Sequence, residues 1–224
     1  MTFDAVIVAA GSSTRFGGDD KLSVELGGRP VLAWSLALFE SLPELGCLVI
    51  AASPERLSET TAMAETWCAR ACFRVVPGGA RRRDSVEAGL RQCTTRYVAI
   101  HDGARPLATP ELVRRVVAAA DGRPGAIAAI PVTDTIKVVR AGVITGHPDR
   151  ATLWAAQTPQ VVLRTAWLDA ARMSDNDETD DAAMLSRLGL ECTVAEGSPE
   201  NIKITRPRDI EVAAAILRAR GDAP

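Results

Sequence analysis

The fold is decided by the stretch Ala5-Val-Ile-Val-Ala-Ala-Gly-Ser-Ser-Thr-Arg-Phe-Gly-Gly-Asp-Asp-Lys21, close to the N-terminus. Its first part, Val6 to Ala10, is a continuous apolar run, which is typical of a strand buried on both faces. The run leads into small residues that include one arginine and one lysine. Backbone N–H groups in such a loop bind phosphate oxygens, and cationic side chains add charge beside them. Gly11–Lys21 is therefore a candidate phosphate-binding loop with Arg15 and Lys21 as its cations.

The loop fits neither of two common phosphate-binding patterns. Gly17-Gly18 is not followed by Lys-Ser or Lys-Thr as in a P-loop, and the spacing differs from the G-x-G-x-x-G dinucleotide fingerprint. A strand-to-helix turn that merely needs small residues therefore stays open as an alternative.

The composition argues against several classes of protein. The chain has 224 residues, of which 47% are hydrophobic and 24% charged, as is usual for a globular domain. A net charge of −2 and 4% aromatic residues argue against nucleic-acid binding. No apolar run approaches the ~18 residues of a membrane span, and the start of the chain lacks a secretory signal pattern. Five cysteines without a C-x-x-C pair and two histidines predict neither a disulfide framework nor a zinc site, so we expect a cytoplasmic protein.

Short apolar runs alternate with helical patterns through the first part of the chain. The runs predict strands at Ala5–Ala10, Cys47–Ala52, Phe73–Val76, Tyr97–His101 and Ala126–Val132. The helical patterns between them are Pro30–Ser41, Pro54–Ala69, Asp84–Cys93 and Pro110–Ala120. This alternation predicts an α/β fold with a mainly parallel, wound sheet, helices on both faces and ligands at the carboxyl ends of the strands.

The pattern changes after Pro131. Thr135–Val139 and Val143–Thr145 flank Arg140-Ala-Gly142 and predict a hairpin, which forms an arm over about 133–152. A hairpin inserted in a wound chain can protrude and pair with a partner subunit. The remaining predictions are helices at Ala166–Met173, Asp180–Leu188 and Arg208–Arg220 and strands at Glu191–Val194 and Asn201–Ile204. No linker separates them, so residues 1–224 are expected to form a single domain.

Polar residues follow two of the predicted strands. Gly78-Gly79 allows a flat ligand to approach the backbone, and Ser85 either offers its hydroxyl to a base edge or caps the next helix. Asp102 ends a central strand, where a carboxylate is costly unless it is exposed or bound, and a divalent cation or ribose hydroxyls are natural partners. Arg105 places a cation near the same edge, whereas His101 is expected to be structural. Lys203 lies within a predicted strand and faces either solvent or the site.

Taken together, these motifs resemble one family, the 2-C-methyl-D-erythritol 4-phosphate cytidylyltransferases. The resemblance covers essentially the whole chain. Its motifs, in chain order, are Ala9-Ala-Gly-x-x-x-Arg15 with Lys21, Gly78-Gly79 with Asp84-Ser85, His101-Asp-x-Ala-Arg-Pro106, Asp134-Thr-x-Lys137, Asp149-Arg150, Gln157-Thr-Pro-Gln160, Thr179-Asp-x-Ala182 and Asn201-Ile-Lys-x-Thr205. The first motif is common to many nucleotidyltransferases, and the arm and Asn201–Thr205 motifs are far more specific.

The resemblance implies a reaction and a fold. A cytidylyltransferase with a Rossmann-like fold would transfer CMP from CTP to methylerythritol phosphate, with Mg²⁺, in the non-mevalonate isoprenoid pathway. The transition-state cations would be Arg15 and Lys21, and Arg150 and Lys203 would hold the substrate phosphate. The implied CTP contacts are Ala9, Ala10, Gly11, Gly79, Ser85, Asp102 and Gly103, and the implied methylerythritol phosphate contacts are Arg105, Thr135, Thr158 and Thr179. The family's arm swaps across a homodimer, so Thr135 and Arg150 would serve the neighbouring subunit.

The chain departs from the family pattern at a few positions. Asp19-Asp20 precede Lys21 where proline is usual, Ala80 stands where an acidic residue is common, and Gly103 replaces alanine. The first departure could loosen the loop, and the second could remove a side-chain contact to the base.

The reaction chemistry needs cations rather than a base. A phosphate monoester is largely ionised at pH 7 because its second pKa is ~6, so it attacks without a general base. Catalysis is then positioning and charge neutralisation, in which Mg²⁺ bridges phosphate oxygens and Asp102 is the best protein carboxylate nearby. Three alternatives stay open: a cytidylyltransferase for another polyol phosphate such as ribitol 5-phosphate, a non-catalytic nucleotide-binding protein, and a sugar-nucleotide or molybdopterin-type nucleotidyltransferase.

Overall fold

The fold is built around a seven-stranded sheet. The computed structural model describes residues 1–11, 16, 20–173 and 178–222. Its strands are β1 (Phe3–Ala9), β2 (Glu25–Leu26), β3 (Arg29–Pro30), β4 (Leu45–Ala52), β5 (Cys72–Pro77), β6 (Tyr97–Asp102), β7 (Gly125–Pro131), β8 (Val138–Arg140), β9 (Val143–Gly146), β10 (Trp154–Leu163) and β11 (Thr193–Glu196). Its α-helices are α1 (Val31–Glu40), α2 (Leu57–Trp67), α3 (Arg82–Leu90), α4 (Pro110–Ala120), α5 (Arg164–Met173), α6 (Asp181–Ser186) and α7 (Arg208–Arg220), with short 3-10 helices at Pro54–Arg56 and Arg150–Thr152.

The sheet is mainly parallel, as the alternation of apolar runs and helices predicts. Its strand order is β11-β7-β10-β6-β1-β4-β5. Strands β1, β4, β5 and β6 are parallel, β11 is parallel to β7, and β10 runs antiparallel to both of its neighbours. The carboxyl ends of β1, β4, β5 and β6 therefore meet at one edge of the sheet.

Helices cover both faces of the sheet because the central strands are buried on both sides. Side chains alternate along β1, so that Ile7 packs into a core with α1, α2, α4 and α7, whereas Val6 packs into a second core with α3, α5 and α6. Ile7 and Val6 are both 0% exposed. Burying such a side chain contributes about 1.5–3 kcal/mol, which explains why the continuous apolar runs become the central strands. The α/β prediction is confirmed.

One strand prediction is wrong, and one central strand was not predicted. Asn201–Ile204 is irregular rather than extended in a sheet, although Ile204 is fully buried and its N–H donates to the Ala104 carbonyl at 2.8 Å. Strand β10 was not predicted from the sequence, and its Pro159 has no N–H to donate to a neighbouring strand. The β10–β7 pairing accommodates the proline with a register shift between Ala156 and Gln160.

Several boundaries differ from the prediction by a few residues. Helix α3 begins at Arg82 rather than Asp84, since Asp84 occupies the third helical position and accepts the Arg81 N–H at 3.1 Å. Strand β11 begins at Thr193 rather than at Glu191. The bounds of α4 and α7 agree with the prediction.

The predicted hairpin forms from β8 and β9. The two residues of its turn, Ala141 and Gly142, have φ of 46° and 80°, the left-handed conformation that two-residue hairpin turns require. The hairpin exposes apolar side chains, among them Val139 (55%), Val143 (64%) and Ile144 (53%). In the described part of the chain, no helix is long and apolar enough to cross a membrane.

Candidate active site

A cleft of about 720 Å³ lies at the carboxyl ends of β1, β4, β5 and β6. Four segments build most of its wall: the end of β1, the 3-10 helix after β4, the glycine turn after β5, and Asp102 at the end of β6. The lining residues are Val8, Ala9, Ala10, Gly11, Asp20, Lys21, Leu22, Ser53, Pro54, Glu55, Arg56, Gly78, Gly79, Ala80, Arg81, Arg82, Ser85, Asp102, Ala104 and Lys203. This is the edge of the sheet at which the sequence predicts a ligand.

The structure brings together most of the predicted nucleotide contacts. The predicted site residues that line the cleft are Ala9, Ala10, Gly11, Lys21, Gly79, Ser85, Asp102 and Lys203. Gly103 follows Asp102 in the chain, Arg105 Nε lies 3.7 Å from Asp102 Oδ2, and the Thr158 hydroxyl accepts the Asp102 N–H at 3.0 Å. The predicted residues Thr135, Arg150 and Thr179 are exposed elsewhere on the chain, and Arg15 falls outside the described residues.

Asp102 is the electrostatic centre of the cleft. Its Oδ2 lies 2.7 Å from Lys203 Nζ and 3.7 Å from Arg105 Nε, and its Oδ1 lies 3.4 Å from Arg82 Nε. The residue is 7% exposed. Burial by itself would raise the pKa of Asp102, but the charges of Arg82, Lys203 and Arg105 together hold that pKa below its usual range. The carboxylate is therefore ionised and organises three cations at one end of the cleft.

Arg82 was not among the predicted site residues. It bridges two buried carboxylates, with Nη2 donating to Asp181 Oδ2 at 2.8 Å and Nε facing Asp102. Asp181 is 1% exposed and also accepts the indole N–H of Trp167 at 3.0 Å. Burial alone would lower the pKa of Arg82, and the two carboxylates raise it instead, so its guanidinium is charged.

The run Arg81-Arg82-Arg83 gives three arginines three different environments. Arg81 pairs with Asp84 at 2.7 Å, Arg82 faces the cleft, and Arg83 is buried with Nη2 donating to the Ala171 carbonyl at 2.9 Å. Successive residues of a helix point about 100° apart, so neighbouring side chains diverge at the start of α3. The triplet marks the helix start, but the sequence carries no signal for which arginine faces inward.

Lys203 reaches Asp102 although its segment is not a strand. The segment is held by Asn201, whose Nδ2 donates to the Thr158 carbonyl at 2.8 Å. Arg105 holds it from the other side, with Nη1 donating to the Asn201 carbonyl at 2.7 Å. The predicted functional orientation of Lys203 toward the cleft thus arises from side-chain bonds to the backbone, not from strand alternation.

His101 is structural in this arrangement. The Thr158 hydroxyl accepts the Asp102 N–H at 3.0 Å and lies 3.1 Å from His101 Nδ1, while His101 Nε2 lies 3.2 Å from the Arg105 carbonyl. These partners fit a neutral ring that carries its proton on Nε2. Burial lowers the pKa of His101 to about 4, which agrees with the neutral form. The predicted role of Thr158 in substrate binding stays a prediction, since its hydroxyl serves both neighbours here.

The glycine turn after β5 needs both glycines. A Cβ on Gly78 would lie 2.5 Å from Ala10 Cβ, and a Cβ on Gly79 would lie 2.3 Å from Asp84 Cβ. The buried hydroxyl of Ser85 accepts the Gly79 N–H at 3.1 Å and so orders the turn. The turn can therefore approach a ligand closely, as the sequence indicates.

Asp20, one of the departures from the family pattern, has a defined place beside Lys21. Arg56 pairs with Asp20 and also donates to Ser23 Oγ at 2.7 Å. Glu59 accepts from Arg56 Nε at 3.1 Å and from Ser23 Oγ at 2.8 Å. These contacts tie the residues around Lys21 to the start of α2, a tether that the sequence alone did not indicate.

The site does not offer a protein cage for a divalent cation. Among residues 1–11, 16, 20–173 and 178–222, no three His, Cys, Asp or Glu side chains are grouped to hold a metal ion. Asp102 is the best placed carboxylate, but Mg²⁺ there would displace or face Lys203 and Arg82. The described residues therefore do not fit a protein-held Mg²⁺, and its binding to Asp102 stays a prediction.

Two predicted residues lie on the arm, away from the cleft of their own chain. Thr135 is exposed before β8, and Arg150 is exposed with Nη1 donating to the Thr133 carbonyl at 2.6 Å. The arm lies between β7 and β10, so these residues belong to the same excursion of the chain.

Comparisons with known proteins agree with this geometry. The IspD family profile, 2-C-methyl-D-erythritol 4-phosphate cytidylyltransferase, matches residues 3–219. A 2-C-methyl-D-erythritol 4-phosphate cytidylyltransferase from Synechococcus elongatus is 41% identical over 222 residues, 96% of each chain. One from Prochlorococcus marinus is 43% identical over 226 residues, 97% of this chain and 99% of that one.

A solved structure shows the same fold. The 4-diphosphocytidyl-2C-methyl-D-erythritol synthase from Anaerococcus prevotii superposes with a TM-score of 0.86 at 27% identity, covering 97% of this chain and 98% of that one. The resemblance inferred from the motifs is thus confirmed over nearly the whole length. With its Rossmann-like sheet and its cleft of glycine turns and cations, the chain belongs to the 2-C-methyl-D-erythritol 4-phosphate cytidylyltransferase family, whose members are nucleotidyl-transferring enzymes.

Proposed function

We propose that the protein transfers CMP from CTP to 2-C-methyl-D-erythritol 4-phosphate, giving 4-diphosphocytidyl-2-C-methyl-D-erythritol and pyrophosphate. The observation that carries the proposal is the cleft in which Lys21 and the cations around Asp102 lie with Gly11 and the glycine turn after β5, in a chain of this family. Backbone N–H groups and cations are what a triphosphate and a phosphate monoester require. The enzyme would act in isoprenoid biosynthesis, and its five free cysteines suit the reducing cytoplasm.

The acceptor phosphate supplies its own nucleophile. Its second pKa is ~6, so at pH 7 an ionised oxygen attacks the α-phosphorus of CTP without a general base. His101 is neutral and engaged by Thr158 and the Arg105 carbonyl, which agrees with a site that needs no histidine base. The α-phosphorus–oxygen bond to pyrophosphate breaks as the new bond forms, and the leaving group departs as an anion.

Catalysis then depends on cationic side chains. We propose that Arg15 and Lys21 offset the charge that develops on the five-coordinate α-phosphorus, while Lys203 and Arg150 hold the incoming phosphate. Ala9, Ala10, Gly11, Gly79 and Ser85 would contact CTP, together with the Asp102–Gly103 corner. A divalent cation bound together with CTP would supply further charge neutralisation. Arg105, Thr158 and Thr179 would contact the methylerythritol phosphate.

The arm supports a homodimer in which the site is shared. Its apolar Val139, Val143 and Ile144 are exposed, and a partner subunit would cover them. Arg150 and Thr135 lie on this arm rather than in the cleft. In the proposed dimer they would complete the neighbouring subunit's site.

The activity is tested by measuring pyrophosphate release from CTP and Mg²⁺ with 2-C-methyl-D-erythritol 4-phosphate or ribitol 5-phosphate. We expect turnover with the first acceptor and at least ~10²-fold less in Arg15→Ala and Lys21→Ala. Arg172→Gln is the matched control, because Arg172 is an exposed cation paired with Asp169 at 2.7 Å. Faster turnover with ribitol 5-phosphate would show that it, and not 2-C-methyl-D-erythritol 4-phosphate, is the acceptor. CTP binding without turnover of either acceptor would show that the protein binds nucleotide without catalysis.

The shared site is tested by co-expressing two inactive variants, Arg150→Ala and Lys203→Ala. If Arg150 acts in the partner's site, each mixed dimer contains one site with both native cations. Random pairing then restores about a quarter of native activity. A mixture that stays inactive would place Arg150 and Lys203 in the same chain's site.

A further inference from the structure

Two cysteines face each other at the end of the sheet opposite the cleft. Cys47 on β4 and Cys72 on β5 are directly paired in the parallel register, and their Sγ atoms are 3.0 Å apart. Strand β5 is the edge of the sheet, and Cys72 is exposed while Cys47 is partly buried. Neither residue takes part in the cytidylyl transfer described above.

The pair has the geometry that a disulfide needs. Neighbouring strands lie about 4.7–4.9 Å apart, within the Cα separation of ~4.4–6.8 Å that disulfides span. The two sulfur atoms would approach by only about 1 Å to reach the ~2.05 Å bond length. Because β4 and β5 are already hydrogen-bonded in this register, the bond requires no strand to move.

We propose that Cys47 and Cys72 form an oxidation site, at which a hydroperoxide or a small-molecule disulfide converts the two thiols into an intramolecular disulfide. The structure favours this pair over the other cysteines. Cys68 and Cys93 are buried, at 4% and 3% exposed, and Cys93 Sγ donates to the Gly89 carbonyl at 3.4 Å.

The chemistry begins at the exposed thiol. Cys72 sulfur attacks the peroxide O–O bond, forming Cys72 sulfenic acid and releasing an alcohol, or water from hydrogen peroxide. Cys47 sulfur then attacks the sulfenic sulfur, the S–OH bond breaks, and the hydroxide leaves as water with the thiol proton. Two thiols are oxidised and one peroxide is reduced, so the electrons balance. With a small-molecule disulfide, Cys72 thiolate attacks one of its sulfurs and releases one small thiol, and Cys47 then attacks the Cys72 sulfur of the mixed disulfide and releases the second small thiol.

Cys47 is suited to the second step rather than the first. Burial, with the neighbouring Cys72, raises the pKa of Cys47 to about 12, so the exposed Cys72 attacks the oxidant first and Cys47 reacts second. Arg74, two residues from Cys72 on the same face of β5, favours the thiolate form of Cys47.

The disulfide would close a covalent ring of the chain that includes residues lining the cleft. The ring runs from Cys47 to Cys72 and includes the Ser53–Arg56 segment, which lines the cleft, and all of α2. Cross-linking this ring restricts the unfolded chain, so we expect Tm to rise by about 5–10 °C. The oxidation would also protect both sulfurs from irreversible oxidation to sulfinic acid.

The test treats the purified full-length protein with hydrogen peroxide or oxidised glutathione, then alkylates it in denaturant and measures intact mass and cross-linked peptides. We expect alkylatable thiols to fall from five to three, with a dithiothreitol-reversible cross-link between the Cys47 and Cys72 peptides and the higher Tm. Cys72→Ser should keep its four remaining thiols and its Tm, whereas the matched Cys192→Ser variant should still form the cross-link.

Three results would overturn the proposal. Five alkylatable thiols after oxidation would show that the pair does not react. Cys72 sulfinic acid or glutathionylated Cys72 beside an alkylatable Cys47 would show that the second step fails. A cross-link between two molecules, or between other cysteines, would place the reactivity elsewhere. None of these results depends on the cytidylyltransferase activity.

Discussion

Replacing Asp102 by asparagine tests the cation cluster of the cleft most directly. The substitution keeps the shape of the side chain and removes its charge, so that Lys203 and Arg105 lose Asp102 as their counter-ion and Arg82 keeps only its pairing with Asp181. Asp102 is 7% exposed, with Lys203 at 2.7 Å and Arg82 at 3.4 Å. Removing one partner of a buried ion pair costs about 3–5 kcal/mol.

The expected loss can be measured as a shift in thermal unfolding. For a chain of this size, 1 kcal/mol lowers Tm by about 2–4 °C, so Asp102→Asn should lower Tm by roughly 6–20 °C. Asp169→Asn is the matched control, because Asp169 is an exposed carboxylate paired with Arg172 at 2.7 Å. An exposed pair contributes at most about 1 kcal/mol, so the control should lose less than about 4 °C.

The loss of stability in Asp102→Asn should become smaller at low pH. The pKa of Asp102 is held below its usual range in the folded protein, so its stabilising contribution is present above the unfolded value of ~3.9 and is lost as pH falls. The difference in unfolding free energy between native protein and Asp102→Asn should stay constant from pH 5 to 8 and narrow below about pH 4. A Tm within the control's range, or a difference that does not change down to pH 3, would refute the argument.

Three further predictions test neighbouring features. Burial lowers the pKa of His101 to about 4, so as pH falls the imidazole of the unfolded chain takes up a proton before that of the folded chain. The free energy of unfolding should therefore fall by about 3 kcal/mol from pH 6.5 to 4. Urea titrations should show a smaller fall in His101→Gln and the same fall in His147→Gln. Gly78→Ala should lower the free energy of unfolding by about 1–3 kcal/mol and weaken CTP binding, because the new Cβ would clash with Ala10. In the control variant Gly11→Ala, the new Cβ has no atom within 4 Å, so the free energy of unfolding should not change. Arg56→Gln should remove the contacts that hold the residues around Lys21 and raise KM for CTP about 10-fold, and Arg56→Lys should partly restore the native KM. Unchanged steady-state kinetics would show that Arg56 does not position Lys21.

Local patterns were sufficient for most of the elements. Apolar runs buried on both faces, as in Ala5–Ala10 and Tyr97–His101, become β1 and β6 with bounds close to the prediction. Pro110–Ala120 and Arg208–Arg220 become helices with the predicted bounds. Hydrophobic periodicity and helix-start residues act over a few residues, so the sequence alone contains this information.

Strand pairing and irregular segments needed the tertiary structure. Trp154–Leu163 becomes a central strand because β6 and β7 on either side supply its hydrogen bonds, and a register shift accommodates Pro159. Asn201–Ile204 alternates like a strand but has no strand partner in the described sheet; the carbonyls of Thr158 and Ala104 hold it instead. These partners lie far away in sequence, so no local pattern reveals them.

The residues of the candidate site also divide into those that the sequence predicts and those that only the tertiary structure reveals. The sequence predicts Gly79, Lys21, Asp102 and Lys203 as site residues, and all four line the cleft. Gly79 and Asp102 follow strand ends, where ligands bind in a wound α/β fold, whereas the role of Lys203 was implied by its motif. Tertiary structure decides that Arg82, rather than Arg81 or Arg83, bridges Asp102 and Asp181, since this depends on the rotation of α3 and on a carboxylate 99 residues away. It also decides that Arg56 holds Asp20 beside Lys21. The sequence therefore determines which chemistry the chain carries, and tertiary packing determines which charges meet, because electrostatic pairing depends on distances in space that sequence separation does not encode.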